Sequence, residues 1–341
     1  MARLKIADME VGQTYECPLA VVSSSSRTTK SGNPYLVMEL YDGFDTIQCN
    51  YWDWSGEAGP KRNTVYNFKV ECSEYLGNKQ LTCRKVKLNT TDALESFMPQ
   101  GQHDIAQCFK DFYQMAVDIK DDFYREVALD IIEQTSQYWL HVPGAITVHH
   151  NYMGGTLVHS LGVAKKAKAI AEVTTGAWLD LVVIGAMFHD IGKLFTYNLD
   201  GLAIDITDDG QLLDHVFIGA EFVGNFGESH LRCEWDELKL QMLRHVILSH
   251  HARKEYGSPV TPKCIEAHIV AHADGLDVAE ELINEASRKA GDIRWTDKIW
   301  ALDNMPHMTT NAMYALSKKT QPSIEDAAPP MKAEDFFAPV E

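Results

Sequence analysis

The feature that most constrains this chain is a change of hydrophobic period about a quarter of the way along it. Residues 1–88 hold five short runs rich in Val, Thr, Tyr and Trp: "TYECPLAVVSSSS", "PYLVMELYDG", "DTIQCNYWDW", "TVYNFKVECSEY" and "KQLTCRKVKL". Gly, Asn or Pro separates them, so they read as strands, and five strands in about 90 residues suffice to close one small barrel. From His103 onward the apolar residues recur at three and four, as in Ile105, Phe109, Phe112, Met115 or Ala116, and Ile119. That spacing lines one face of a helix. The expectation is a multidomain chain, a small all-β barrel over 1–90 followed by an all-α part. The stretch 91–140 serves as a helical connector, 141–318 as the second domain, and 319–341 as an acidic, Pro-rich tail.

At 341 residues, 45% hydrophobic and 23% charged, the chain can bury a large core in about two domains. No secretory leader pattern opens it. The longest oily stretch, around residues 178–188, is interrupted by Asp180 and falls far short of the ~20 residues a membrane span needs. A cytoplasmic protein with no membrane partner is expected. The seven cysteines are scattered, with no Cys-x-x-Cys, which argues against both a disulfide framework and a thiolate zinc site. The net charge of -17 argues against a nucleic-acid binder that works by a diffuse basic surface. Residues 1–90 carry 11 Lys and Arg against 10 Asp and Glu, a balance of +1, so the remainder carries -18.

Within the helical part, "GAMFHDIGKL" sets His189 and Asp190 in the middle of an apolar run. A buried carboxylate needs a hydrogen-bonding network or a cation. Further candidates follow the same habit of sitting in or at the end of apolar helical segments: His159 in "TLVHSLGVAKKA", His215 in "LLDHVFIGAEF", His250 and His251 in "RHVILSHHARKE", and Asp274 in "VAHADGLD". Any one of them alone is better explained as a hydrogen-bonded structural residue. Five such segments in order point to divalent metal, because imidazole and carboxylate suit Mn, Fe, Ni, Co or Zn and, with more oxygen ligands, Mg.

The order His159, His189-Asp190, His215, His250/His251, Asp274 resembles that of the HD-domain superfamily of metal-dependent phosphohydrolases, whose defining pair is matched by "FHDIGK". More narrowly, "HHNYMGGTLVHS", "HDIGKL", "ILSHHARKEYGSP" and "EAHIVAHADGLD", after a strand-rich region containing "KSGNPYLVMEL", are similar to the bacterial YhaM-type 3'-5' exoribonucleases over roughly residues 3–300. The resemblance implies an OB-fold barrel followed by an HD domain holding two ions, with Mn first among the metals. His159, His189, Asp190 and Asp274 would bind one ion. His215 with one or both of His250 and His251 would bind the second, Asp190 bridging. Two ions so placed can activate water for attack on phosphorus and stabilise charge on its oxygens. Asp190 and Lys193 are then the catalytic candidates, Lys193 reaching a phosphate oxygen or the leaving group from an adjacent face of the same helix. Two departures stand out: Val158 where the family commonly has an acidic residue, and Ala252 where it commonly has Gly.

Other neighbours carry weaker signals. His150, which with His149 precedes "NYMGG", and Arg253, beside the His pair, are candidates for substrate binding; Asp277, three residues after Asp274, is a candidate support for the ligands. His268 and His272 have the i, i+4 chelating spacing, but Asp274 already explains their segment. In the barrel, Tyr35, Phe44, Trp52, Trp54 and Tyr75 are candidate stacking residues, about half of which such a small barrel must bury. Tyr35 is favoured, with Lys30 and Arg27 for phosphate contacts. The reading that emerges is a metal-dependent 3'-5' exoribonuclease releasing nucleoside monophosphates from single-stranded RNA, with single-stranded DNA as a further substrate. The alternatives are a phosphohydrolase of a small nucleotide or cyclic dinucleotide, and a nucleic-acid-binding scaffold with an inactive HD domain. A homo-oligomer is compatible with each.

Overall fold

The computed structural model describes residues 4–92, 94–97, 103–144, 152–198, 205–291 and 293–319. Five strands form a closed barrel: β1 (Thr14–Thr28), β2 (Pro34–Tyr41), β3 (Thr46–Tyr51), β4 (Val65–Tyr75) and β5 (Asn78–Leu88). Their order around the barrel is β1-β2-β3-β5-β4, with β4 returning to β1 and only the β3–β5 pair parallel. This is the Greek-key order of the OB-fold. Alternate residues point inward as period-two patterning requires, so Leu36, Met38 and Leu40 of β2 join Leu19, Phe68, Val70 and Leu81 in the barrel core. Cys17, Cys49, Cys72 and Cys83 line the same core as free thiols.

β1 serves two partners. It pairs with β4 over Thr14–Ala20 and with β2 over Ala20–Thr28, and an irregularity between Val21 and Ser23 marks the bend. Beyond that point Ser23–Thr28 is exposed, which carries Arg27 to the cross-strand position opposite Tyr35. The β2–β3 turn is held by buried Asp42, whose carboxylate accepts from the backbone N–H groups of Phe44 and Asp45 at 2.7 and 2.8 Å.

The helical part comprises α1 (Ile105–Val117), α2 (Asp122–Trp139), α3 (Gly155–Val173), α4 (Leu179–Phe188), α5 (Lys193–Thr196), α6 (Asp208–Glu228), α7 (Glu234–Ser249), α8 (Ile265–Ala290) and α9 (Thr310–Lys319), with a two-stranded hairpin of β6 (Tyr197–Asn198) and β7 (Asp205–Ile206). α1 and α2 are separated where Asp121 caps α2 by accepting from Tyr124 N–H. Asp180, the charge that interrupts the oily run, accepts from the N–H groups of Lys120 and Asp121 and pins that break to α4. The chain divides into two compact units, Met1–Asp277 and Val278–Glu341. In the second, the end of α8 is followed by bridges Trp295 to Met308 and Ile299 to Met305, and the Thr309 hydroxyl donates to the Ile293 carbonyl at 2.9 Å. Among the described residues no helix is long and apolar enough to cross a membrane.

The core that positions the helices centres on Phe112, Trp139 and Phe188, whose ring centroids lie 4.9 to 6.3 Å apart. Trp139 is fully buried and its indole N–H donates to Thr135 Oγ1 at 2.9 Å. Phe188 immediately precedes His189, so this cluster fixes where α4 ends. Trp139→Ala is expected to cost about 3–5 kcal/mol of stability, read as a lower midpoint in denaturant unfolding of the helical part.

Candidate metal centre

Two helices deliver histidines to one point because both stop there. α4 is buried around its circumference, and its Gly185 lies so close to α7 that a Cβ would stand 2.7 Å from Val246 Cγ1. The chain leaves α4 at His189 and α7 at His250, and each ring turns back on its own helix. His189 Nδ1 donates to the Ala186 carbonyl at 2.8 Å and His250 Nδ1 to the Ile247 carbonyl at 2.7 Å. A carbonyl only accepts, so both rings carry a proton on Nδ1 and present a bare Nε2. These last-turn carbonyls lack helical partners and form the negative end of the helix dipole, which favours a cation nearby.

The apolar run therefore does not carry His189 and Asp190 in mid-helix, as its composition led us to expect. α4 ends at Phe188, the chain turns through 189–192, and α5 begins at Lys193. Lys193 accordingly does not sit on a further turn of the same helix. Its ammonium lies 2.7 Å from Asp190 Oδ2 and donates to the Gly144 carbonyl at 2.8 Å.

His159 comes from α3, Asp274 from α8 and His215 from α6. His215 enters through a break inside α6, where Asp214 has φ 65° and ψ 152°, and the Asp214 carboxylate then lies 2.5 Å from His215 Nδ1. Room for that break comes from Gly192, where a Cβ would stand 1.9 Å from the His215 carbonyl oxygen. The donors fall into two sets, His159, His189 and Asp274 in one and Asp190, His215, His250 and His251 in the other, the atoms of each lying within 4.8 Å of one another. Asp190 joins them. Its Oδ1 is 3.2 Å from His215 Nε2 and 3.6 Å from His250 Nε2, while Oδ2 is 3.4 and 3.5 Å from the Nε2 atoms of His159 and His189.

These donors fit metal on two independent grounds. Asp190 Oδ1, His215 Nε2, His250 Nε2 and His251 Nδ1 are buried with no hydrogen-bond partner, one atom from every member of the second set. In the first set His159 Nε2 and His189 Nε2 are 3.1 Å apart. Two nitrogens each about 2.1 Å from one cation and at right angles to each other stand about 3.0 Å apart, whereas without a cation or proton their lone pairs repel.

Electrostatics place a proton where a cation would sit. Burial disfavours the charged form of His159, but Asp190, Asp274 and Asp277 outweigh it and hold its pKa well above the ordinary value. For His215 burial is likewise outweighed by Asp190 and Asp214, so its pKa is raised. Burial, then the neighbouring His251 and His189, keeps His250 well below the usual range. Burial opposes ionisation of Asp190, yet Lys193 and the surrounding histidines hold its carboxyl far below the usual carboxylate range.

Comparison with known proteins agrees with this geometry. Residues 156–279 match the HD domain family. The matched HD domain begins one turn before His159 and ends just beyond Asp277, enclosing every residue of both donor sets. Its superfamily is that of metal-dependent phosphohydrolases. Among solved structures the chain is similar to the second OB-fold domain of replication protein A from Methanococcus maripaludis, at 12% identity over 26% of this chain and 97% of that one, with a TM-score of 0.22. The assignment of the barrel rests on its own strand order.

The structure thus gathers His159, His189, Asp190, His215, His250, His251 and Asp274 at one centre, and puts Asp277 behind His159 at 2.7 Å from Nδ1. Arg253 lies on the exposed turn that follows, its guanidinium 5.8 Å from the Tyr256 ring centroid. Ala252, the departure from Gly, takes the left-handed conformation with φ 63°, which costs an L-residue about 1–2 kcal/mol. His150 and residues 320–341 lie outside the described residues. On the barrel, Tyr35 stacks on Trp52 with centroids 4.4 Å apart and planes 23° off parallel; Arg27 lies opposite Tyr35, and Arg27 and Lys30 are both exposed. Phe44, Trp52 and Tyr75 are all exposed and only Trp54 packs against the core, so fewer of these aromatics are buried than expected. Sequence reasoning overlooked Asp214 and Gly192. The glycine in "HDIGK" was the available signal for a close backbone approach.

Gly192→Ala is expected to reduce bound metal by about one ion per chain and to lower thermal stability, because the new methyl collides with backbone at His215. Gly275→Ala, with nothing within 4 Å of the added Cβ, should leave metal content unchanged. A second outcome concerns pH. The raised pKa values of His159 and His215 mean that protons must leave as metal enters, so metal affinity should rise as pH rises until both rings are neutral in the metal-free protein. Calorimetric titrations in buffers of different ionisation enthalpy should report net proton release, diminishing with pH.

Proposed function

We propose that this protein is a metal-dependent 3'-5' exoribonuclease that degrades single-stranded RNA, and also single-stranded DNA, to nucleoside monophosphates. The observation that carries the hydrolytic part is Asp190, a buried carboxylate with one oxygen turned to each donor set. His159, His189 and Asp274 would hold one ion, and His215, His250 and His251 the other. When bound, a pair of divalent cations, Mn first among them, activates the attacking water and neutralises charge on the phosphate oxygens.

The protein's own part is orientation. Ring nitrogens tied at Nδ1 to Ala186, Ile247, Asp214 and Asp277 keep the Nε2 atoms of His189, His250, His215 and His159 turned inward. Lys193, whose charge Asp190 sustains against burial, offers a cation to a phosphate oxygen or leaving group at the edge of the same site. The exposed Arg27 and Trp52 on either side of half-buried Tyr35 support a strand held by stacking and phosphate contact, with Lys30 in the adjoining turn. Direction of digestion follows the resemblance in motif order to the YhaM-type enzymes.

End-labelled single-stranded RNA incubated with protein and Mn2+ tests the reading. A 3' label should appear at once in mononucleotide, while a 5' label should pass through a descending ladder. Asp190→Ala should lose both ions and all hydrolysis; His215→Ala should retain about one ion per chain while turnover falls by orders of magnitude. Tyr35→Ala and Trp52→Ala should raise KM for long RNA by roughly 5- to 150-fold, the equivalent of one lost stacking contact, with little effect on the shortest oligonucleotides. Efficient cleavage of a mono- or cyclic dinucleotide with RNA ignored would instead establish the small-nucleotide reading, which the -18 charge of residues 91–341 favours.

A further inference from the structure

Behind His159 stands a second row of side chains that no metal would touch. His159, Gly162 and Lys166 follow one another at three and four residues along α3 and share one helix face. Asp277 of α8 lies against all three. Its Oδ2 is 2.7 Å from His159 Nδ1, its Oδ1 is 2.6 Å from Lys166 Nζ, and a Cβ on Gly162 would stand 2.2 Å from that same Oδ1. The Asp277 side chain is 7% exposed and that of Lys166 24%.

We propose that Lys166 is a positioning residue for the metal centre: acting through Asp277 seated over Gly162, it fixes the orientation and tautomer of His159 and so sets the affinity for the ion held by His159, His189 and Asp274. The inference rests on the metal reading given above. A carboxylate tied at one oxygen can still swing, whereas Asp277 is tied at both, to an imidazole on one side and an ammonium on the other. With the anion locked in place, the His159 Nδ1 proton is held on Asp277 and Nε2 is left facing the site. Gly162 completes the device, since any side chain there would occupy the space of the Asp277 carboxylate. Asp274 and Asp277 lie three residues apart on α8, so one helix supplies both a ligand and the support of its neighbouring ligand.

A lysine that merely steadied α3 against α8 would change stability and not affinity. Full-length protein stripped with chelator should be titrated calorimetrically with Mn2+, alongside thermal unfolding of the metal-free form. The wild type is expected to show two binding steps, one of which Asp274→Ala abolishes. Lys166→Met should weaken that step by about tenfold, at the lower end of the 10- to 100-fold seen for such outer partners, and leave the other within about twofold. Lys166→Arg should recover most of the loss, and Gly162→Ala should weaken the same step at least as much as Lys166→Met. Unchanged affinity in Lys166→Met, or a loss that follows metal-free stability and is not recovered by Arg, overturns the proposal while leaving the metal reading intact. A wild type that takes up no Mn2+ overturns both.

Discussion

Asp190 carries a negative charge into the buried interior, two residues after the apolar helix α4 ends and within 3.6 Å of four imidazoles. Lys193 answers one of its oxygens; the other has no hydrogen-bond donor. Much of the helical architecture follows from keeping that arrangement tolerable. Histidines are drawn from four helices, and His159, His189, His215 and His250 are each held at Nδ1 so that Nε2 points at the same small volume. The cluster is of a kind that a divalent cation could complete, which would account for so many unpaired atoms meeting at one place.

Helix termination does most of the positioning. α4 and α7 pack closely at Gly185 and end together, and their final histidines cap their own last turns. α6 is broken at Asp214 to bring His215 in, and Gly192 leaves the backbone room to do so. Placement by helix ends and backbone breaks is stiff, since φ and ψ rather than long side chains set the ligand positions. Stiffness of that kind suits a centre in which two donor sets must share one carboxylate.

The barrel solves a different problem. Its core is filled by inward residues of all five strands, which leaves Phe44, Trp52 and Tyr75 exposed on its outside. Bending β1 at Val21 frees its outer half from β4 and lays Arg27 opposite Tyr35, which in turn stacks on Trp52. A near-neutral domain thereby concentrates cation and ring on one strand pair, while the acidity of the chain belongs to residues 91–341.

Period alone determined a great deal. Alternation over residues 1–88 and three–four spacing after His103 were enough to foresee a five-stranded barrel followed by helices, because side-chain direction repeats every two residues in a strand and every 3.6 in a helix. The order of His and Asp segments was equally legible, since ligands must be of those types whatever holds them. Local spacing could not reveal how they divide. Only the resemblance in motif order implied that Asp190 bridges two sets; that Lys193 turns onto Asp190 and that the oily helix stops just before His189 depend on where chain ends and breaks meet in space. Nor could it reveal the pairing of Lys166 with Asp277, or the reason for Gly162 and Gly192, because a glycine's purpose lies in the atom that would otherwise collide with its Cβ. Tertiary packing decided these points: contacts between segments tens of residues apart, and 111 apart for Lys166 and Asp277, leave no periodic trace in the chain that makes them.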